Sequence, residues 1–198
     1  MILLLDLDEV VVDFVGGACK VHGITRQQME HYREPGEWTI TKPLGLAKTA
    51  GWCGLTQDEF WQPIHDAGVE FWEGLDKLPW FNDVLRWADD NFDQWFFVSS
   101  PSRETNSYTG KVNWLKREFG SDFDRFFLTP HKELLARRDR VLLDDRDDNL
   151  KNFSKWGGKC ILFPTKGGRL HAFADDPMQK LREVSIPTIL DPKRSNEL

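Results

Sequence analysis

Two apolar runs in this chain each stop at a pair of aspartates: ILLLDLD at residues 2–8 and VLLDD at 141–145. A short run with no polar alternation suits a strand covered on both faces, the condition of a parallel sheet between layers of helices. On an extended strand, residues i and i+2 point the same way, so Asp6 and Asp8 share one side where the strand at 2–7 ends. In open α/β sheets, ligands bind just beyond the carboxyl ends of the strands. Close carboxylates repel one another, and either a shared proton or a cation relieves the repulsion. A strand-end aspartate can instead cap the next helix, and Asp147 and Asp148 suit that role. Capping leaves the two pairs, Asp6 with Asp8 and Asp144 with Asp145, without an explanation. Carboxylates from two neighbouring strand ends make an all-oxygen site, which suits Mg²⁺.

The rest of the chain supplies the other layers. WFFVS at 95–99, RFFL at 125–128, RVLLD at 140–144 and KCILF at 159–163 read as further strands. Amphipathic helical patterns lie between them at 80–92, at 107–119 before Gly120, and at 147–156 before Gly157 and Gly158. Strands alternating with helices predict right-handed crossovers and a doubly wound parallel sheet, an α/β fold. Residues 15–78 interrupt that rhythm. They hold no strand run, carry two capping-box signals (Thr25 with Gln28, Thr56 with Glu59), and are broken by glycines and prolines. They read as a small helical cap inserted after the first strand. The predicted division is an α/β core over 1–14 and 79–190, a cap over 15–78 and a frayed tail over 191–198.

Composition narrows the function. A chain of 198 residues with 26 Lys+Arg against 32 Asp+Glu, net charge −6, is poorly suited to gripping long nucleic acid through many phosphates. A small phosphorylated molecule held by a few local cations remains compatible. Nine tryptophans and 14 phenylalanines provide rings for a core or for a flat ligand. Cys19, Cys53 and Cys160 match neither a metal spacing nor a disulfide framework, and the five histidines form no metal spacing, so a reducing cytoplasm is expected. No run is long and apolar enough for a signal peptide or a membrane span. The expected partner is a small molecule, and the expected state a monomer or homodimer.

Two further segments end at the same sheet edge. In VSSPS at 98–102, Ser99 or Ser100 can offer O–H and N–H donors to an anion; a plain helix cap is the bland alternative. In TPHKELL at 129–135, Lys132 can neutralise a phosphoryl group, although taken alone it is an ordinary surface lysine.

Taken in order, DLDEV at 6–10, Ser99–Ser100, Lys132 and Asp144–Asp145 resemble the four motifs of haloacid dehalogenase superfamily phosphatases. Within that superfamily DLDEVVVDF, VSSPS, the helix carrying Lys111 before NWLKREFG, LTPHK and LLDDRDDN resemble the 5′(3′)-deoxyribonucleotidases. The resemblance spans roughly residues 2–165 and is weakest in the cap. It implies a Rossmann-like sheet, with Asp6 as the nucleophile that becomes an aspartyl-phosphate and Asp8 as the general acid and base. Mg²⁺ is then held by Asp6, the backbone carbonyl of Asp8 and Asp145, with Asp144 close by. Ser99, Ser100, Lys111 and Lys132 bind the phosphoryl group. Loss of Asp8 is then expected to cost on the order of 10²–10⁴ in rate. Phe14, Trp38 and Thr39 match positions that contact base or sugar, whereas Trp61, Phe71 and Trp72 suit the cap's own core. One departure is Glu9, where relatives often have glycine; a side chain there can crowd the cap entrance. The implied activity is hydrolysis of (deoxy)nucleoside monophosphates. Another small phosphate ester, a polynucleotide 3′-phosphate end and a non-catalytic binding scaffold are the competing readings.

Overall fold

A computed structural model describes residues 1–184, so the predicted tail at 191–198 and the end of the predicted core lie outside the described residues. Five strands form one parallel sheet: β1 (Ile2–Leu5), β2 (Gln94–Ser99), β3 (Phe126–Leu128), β4 (Arg140–Asp144) and β5 (Lys159–Leu162). Their order across the sheet is β3-β2-β1-β4-β5. The chain therefore winds outward one way from β1, then returns to its other side through β4. That reversal opens a crevice at the carboxyl ends of β1 and β4, where such sheets take their ligands.

Alternation along β1 sorts its leucines between two layers. Leu3 and Leu5 face a large core shared with Trp87, Trp95, Phe97 and Trp114, while Leu4 faces Val98, Leu142, Leu150 and Phe153. All three leucines are buried. Each such side chain contributes about 1.5–3 kcal/mol, which fixes the register of β1. Leu5 then lies opposite Phe97 and Leu143, and Asp6 N–H donates to Leu143 O at 3.0 Å. The predicted strand at 2–7 is shorter in the fold, because Leu7 O accepts from the N–H groups of Val10, Val11 and Val12 and turns the chain away.

Helices α1 (Phe14–Val21), α2 (Arg26–Glu30), α3 (Thr41–Lys48) and α4 (Gln57–Glu73) follow β1, as the predicted inserted helical segment requires. Both capping boxes form, at Thr25–Gln28 and Thr56–Glu59. Asp13 accepts from Gly16 N–H and starts α1 at Phe14. Helix α4 breaks at Gly68, whose φ of 63° and ψ of −137° are non-helical. The remaining helices are α5 (Phe81–Asn91), α6 (Thr105–Phe119), α7 (Asp147–Lys155) and α8 (Pro177–Glu183). Where α6 meets α4, a Cβ on Gly110 would lie 2.4 Å from Trp72 Cβ and 2.8 Å from Val69 O. Glycine there lets the two helices touch and sets Trp72 beside Lys111. Among the described residues no helix is long and apolar enough to cross a membrane.

Candidate active site

Asp6, Asp144 and Asp145 meet in the crevice between β1 and β4. All three are buried, and each offers a carboxylate oxygen within 4.8 Å of the others. Such a gathering of like charges needs compensation, and Lys132 provides part of it. Its ammonium, itself 3 % exposed, lies 2.7 Å from Asp6 Oδ1 and 2.7 Å from Asp144 Oδ2. Asp144 is further held by Arg146 N–H at 2.9 Å and by Asn149 Nδ2, 3.0 Å from both oxygens. Asp6 Oδ1 also accepts from Leu7 N–H at 2.8 Å. Among the described residues no hydrogen bond or ion pair reaches the Asp145 carboxylate. One ammonium against three carboxylates leaves two negative charges, and the unpartnered donor set is oxygen alone. That combination matches a hard divalent cation, with Asp6 and Asp145 presenting the free oxygens and Asp144 occupied in holding Lys132.

Burial gives these acids unusual proton affinity. It pushes Asp6 up to about 7, with the neighbouring Asp144 and Asp8 charges raising it further and Lys132 opposing them. Burial, then Asp144 and Asp6, raise Asp145 well above the carboxylate range. Lys132 is raised by the Asp6 and Asp144 charges, which outweigh its burial. Because the folded value of Asp6 lies above the unfolded value of about 3.9, its stabilising contribution is full below the unfolded value and is lost as pH rises through about 7. In chelator, the melting temperature is therefore expected to fall between pH 5 and pH 8. Millimolar Mg²⁺ should restore more of it at pH 8 than at pH 5, since the cation then displaces no proton. Equal Mg²⁺ increments at both pH values would remove the three acids from cation binding.

None of the other predicted residues belongs to this three-acid group. Asp8 lies outside the three-acid cluster; its carboxylate takes both bonds of a charged pair with Lys111 Nζ, at 2.7 and 2.6 Å. That ammonium is 3 % exposed and sits 5.0 Å from the Trp72 ring centre. Ser99 is fully buried, and its Oγ has no hydrogen-bond partner among the described residues. Ser100 Oγ donates instead to Thr129 O at 3.2 Å, joining the ends of β2 and β3. Phe14 packs face to face with Trp72, centroids 5.7 Å apart, and edge-on with Phe71 at 5.9 Å. Trp38 is 43 % exposed, with the Arg146 guanidinium 5.4 Å from its ring centre. Thr39 is exposed and its hydroxyl meets only that of Thr41, so no hydrogen bond ties it to the acids.

Several neighbours carried no signal of their own in the sequence. Asn149 lies five residues past Asp144, and only the fold turns its amide onto that carboxylate. Arg146 reaches Trp38 across the crevice. The glycine pair at 167–168 meets the inserted segment: Gly36 N–H donates to Lys166 O at 3.2 Å, and a Cβ on Gly167 would lie 2.4 Å from an Arg33 nitrogen. Glu9 sits on the segment between the first strand and the inserted helices. Its carboxylate turns to Val15 N–H and to Arg26, and its φ of 60° is the left-handed conformation that glycine adopts freely. A separate open cavity of about 740 Å³ is lined by Arg137, Arg138, Lys155, Trp156 and Gly157. These residues precede β4 and β5, at the opposite edge of the sheet, and include no carboxylate or hydroxyl.

The comparisons with known proteins agree with this architecture. A haloacid dehalogenase-like family hydrolase of Streptococcus pneumoniae is similar over 92 % of this chain and 97 % of its own, with TM-score 0.51 and 16 % identity. A second hydrolase of Streptococcus pneumoniae is similar over 83 % of this chain and 92 % of its own, with TM-score 0.52 and 12 % identity. At these identities the likeness establishes the fold. No curated protein matches the chain significantly. A family model matches residues 1–173, nearly the whole described chain, and the protein belongs to that family: the 5′ nucleotidase, deoxy (Pyrimidine), cytosolic type C proteins (NT5C), phosphatases of haloacid dehalogenase type.

Proposed function

We propose that this protein is a Mg²⁺-dependent phosphatase that hydrolyses (deoxy)nucleoside monophosphates to nucleoside and phosphate through an aspartyl-phosphate on Asp6. One observation carries the reading: at the β1–β4 crevice a buried lysine bridges two of three clustered buried carboxylates, with a second carboxylate–lysine pair, Asp8 with Lys111, near enough for its charge to act on Asp6. A phosphate monoester dianion repels an anionic nucleophile, and its uncatalysed hydrolysis is among the slowest of reactions. A divalent cation, when bound by Asp6 and Asp145, supplies charge that offsets this repulsion.

This chain's own groups do the rest. Leu7 N–H and Lys132 hold Oδ1 of Asp6, leaving Oδ2 without a donor among the described residues. Asp6 attacks phosphorus, forming a new P–O bond as the ester P–O bond breaks. Asp8 gives the departing oxygen its proton, then takes one from the water that cleaves the acyl phosphate. Lys132 and the Ser99 hydroxyl receive phosphoryl oxygens. The incoming phosphoryl group competes with Asp8 for Lys111, so substrate arrival loosens Asp8 for its work. Phe14 and Trp38 offer ring faces to a base, each stack being worth about 1–3 kcal/mol.

Phosphate release in Mg²⁺ from a panel of ribo- and deoxyribonucleoside 5′- and 3′-monophosphates, set against sugar phosphates, tests the reading. Faster release from nucleotides is expected. Release from sugar phosphates alone would move the substrate to another small ester, and none from any member would leave a binding scaffold.

A further inference from the structure

The segment from Asp8 to Phe14 joins β1 to α1 and carries a functional candidate at each end. Asp8 is followed by Glu9, and Phe14 is preceded by Asp13. Both of these flanking carboxylates are held by one guanidinium. Arg26 donates from one terminal nitrogen to Glu9 Oε2 at 2.7 Å and from the other to Asp13 Oδ1. Its Nε lies 3.7 Å from Glu30 Oε1, which Arg33 also pairs at 3.1 Å. Arg26 is the first residue of α2, and the Thr25–Gln28 capping box fixes that end of the helix, so the guanidinium projects from a firm base. The acids are equally constrained. Glu9 Oε1 accepts from Val15 N–H at 2.8 Å and Asp13 Oδ1 from Gly16 N–H at 2.7 Å, both N–H groups in the first turn of α1. Side-chain exposures of 12 % for Glu9, 24 % for Asp13 and 28 % for Arg26 put the cluster partly out of water. Glu9 also keeps a φ of 60°. That conformation is strained for a non-glycine residue and persists only where surrounding contacts enforce it. A glycine would meet the backbone requirement without strain, so the side chain is what the position retains.

We propose that Arg26 is a positioning residue, with Glu9 as its counterpart: it clamps both ends of the Asp8–Phe14 segment and thereby holds the Asp8 carboxyl in line with the departing oxygen. The inference rests on the phosphatase reading above, and it assigns to a cap residue control over the core's proton donor. The fork geometry matters. Arginine reaches two carboxylates at once, whereas a lysine ammonium acts as a single point charge. A displacement of about 1 Å in a reacting group can cost on the order of 10²-fold in rate. The clamp therefore acts on proton delivery and not on general adhesion, and that distinction is measurable. A nucleoside leaves as a poor alkoxide and needs the Asp8 proton; p-nitrophenolate leaves readily without it.

First-turnover release of nucleoside and of p-nitrophenol, in Mg²⁺, from the parent and from Arg26→Gln, Arg26→Lys and Glu9→Gln tests the clamp. Arg26→Gln is expected to slow nucleoside release by about 10- to 100-fold while slowing p-nitrophenol release several-fold less. Arg26→Lys should fall between parent and Arg26→Gln. The double variant Arg26→Gln with Glu9→Gln should be no slower than Arg26→Gln alone, because the two residues act as one unit. Glu9→Gln keeps the side-chain size and the oxygen that accepts from Val15. It carries the test if Arg26→Gln melts below the assay temperature. Equal losses on both substrates, or parental rates in both Arg26→Gln and Glu9→Gln, would overturn the clamp. A parent protein with no phosphatase activity at all would instead overturn the function on which the clamp rests.

Discussion

Asp6→Asn is expected to abolish phosphate release while leaving the fold at least as stable as the parent. The amide has the size of the carboxyl, and its oxygen can still accept from Leu7 N–H and Lys132, as Oδ1 does now. What disappears is the proposed nucleophile and one of three buried like charges. Removing the nucleophile of a covalent mechanism costs on the order of 10⁴-fold or more, because the two-step route is lost as a whole. Removing the charge acts the other way on stability. Burial and the neighbouring acids already lift Asp6 to about 7, so near neutral pH the site works against ionisation. Metal-free Asp6→Asn should therefore melt at or above the parent near pH 8, and its gain in melting temperature from Mg²⁺ should shrink. Activity within tenfold of the parent would place the nucleophile elsewhere. Lost activity with a markedly lower melting temperature would make the loss a folding effect.

The sheet was legible because its signals are local. Four apolar residues followed by Asp6, and three followed by Asp144, state both burial and the strand's end within a few positions. The capping boxes at Thr25 and Thr56 are equally self-contained, and both form. Misreadings arose where distant segments meet. The first strand stops at Leu5, two residues early, because Leu7 O gathers three backbone N–H groups from the turn that follows. The Glu9–Arg26 ion pair was not legible, since nothing in DLDEV announces an arginine 17 positions later. Asn149 and Arg146 stood inside the quoted segment LLDDRDDN, yet their partners, the Asp144 carboxylate and Trp38, are chosen by a helix turn and by cap placement. Of the aromatics in the inserted segment, Phe71 and Trp72 are buried in the large core they share with the sheet, while Trp38 keeps an exposed face. Lys132 shows the limit most clearly. From sequence alone a lysine in a loop is an ordinary surface charge, and nothing in TPHKELL foretells its burial between Asp6 and Asp144.

Lys132→Met is accordingly expected to damage both activity and stability, in contrast to Asp6→Asn. The methionine fills most of the same space, so no large cavity forms, and the effect reads the charge alone. In the parent the ammonium is 3 % exposed and bridges Asp6 and Asp144 at 2.7 Å each. Breaking a buried ion pair by deleting one partner costs about 3–5 kcal/mol, because the other charge stays buried without compensation. Here two carboxylates lose that partner and Asp145 lies beside them. The protein can escape part of this cost by taking up protons, so the loss in melting temperature should be larger at pH 8 than at pH 5. Mg²⁺ should recover some of it, being a second source of positive charge for the same oxygens. It should not recover turnover, since the cation cannot also stand where Lys132 is proposed to meet the phosphoryl group, and losing that charge in a water-poor site costs on the order of 10²–10³-fold. Calorimetry at the two pH values, with and without Mg²⁺, and initial rates on a nucleoside monophosphate read these outcomes together. Parental stability at pH 8 would mean that the three acids are not jointly ionised in the folded chain. Parental rates would remove Lys132 from the phosphate site and, with it, the case that the β1–β4 crevice is where phosphorus is attacked.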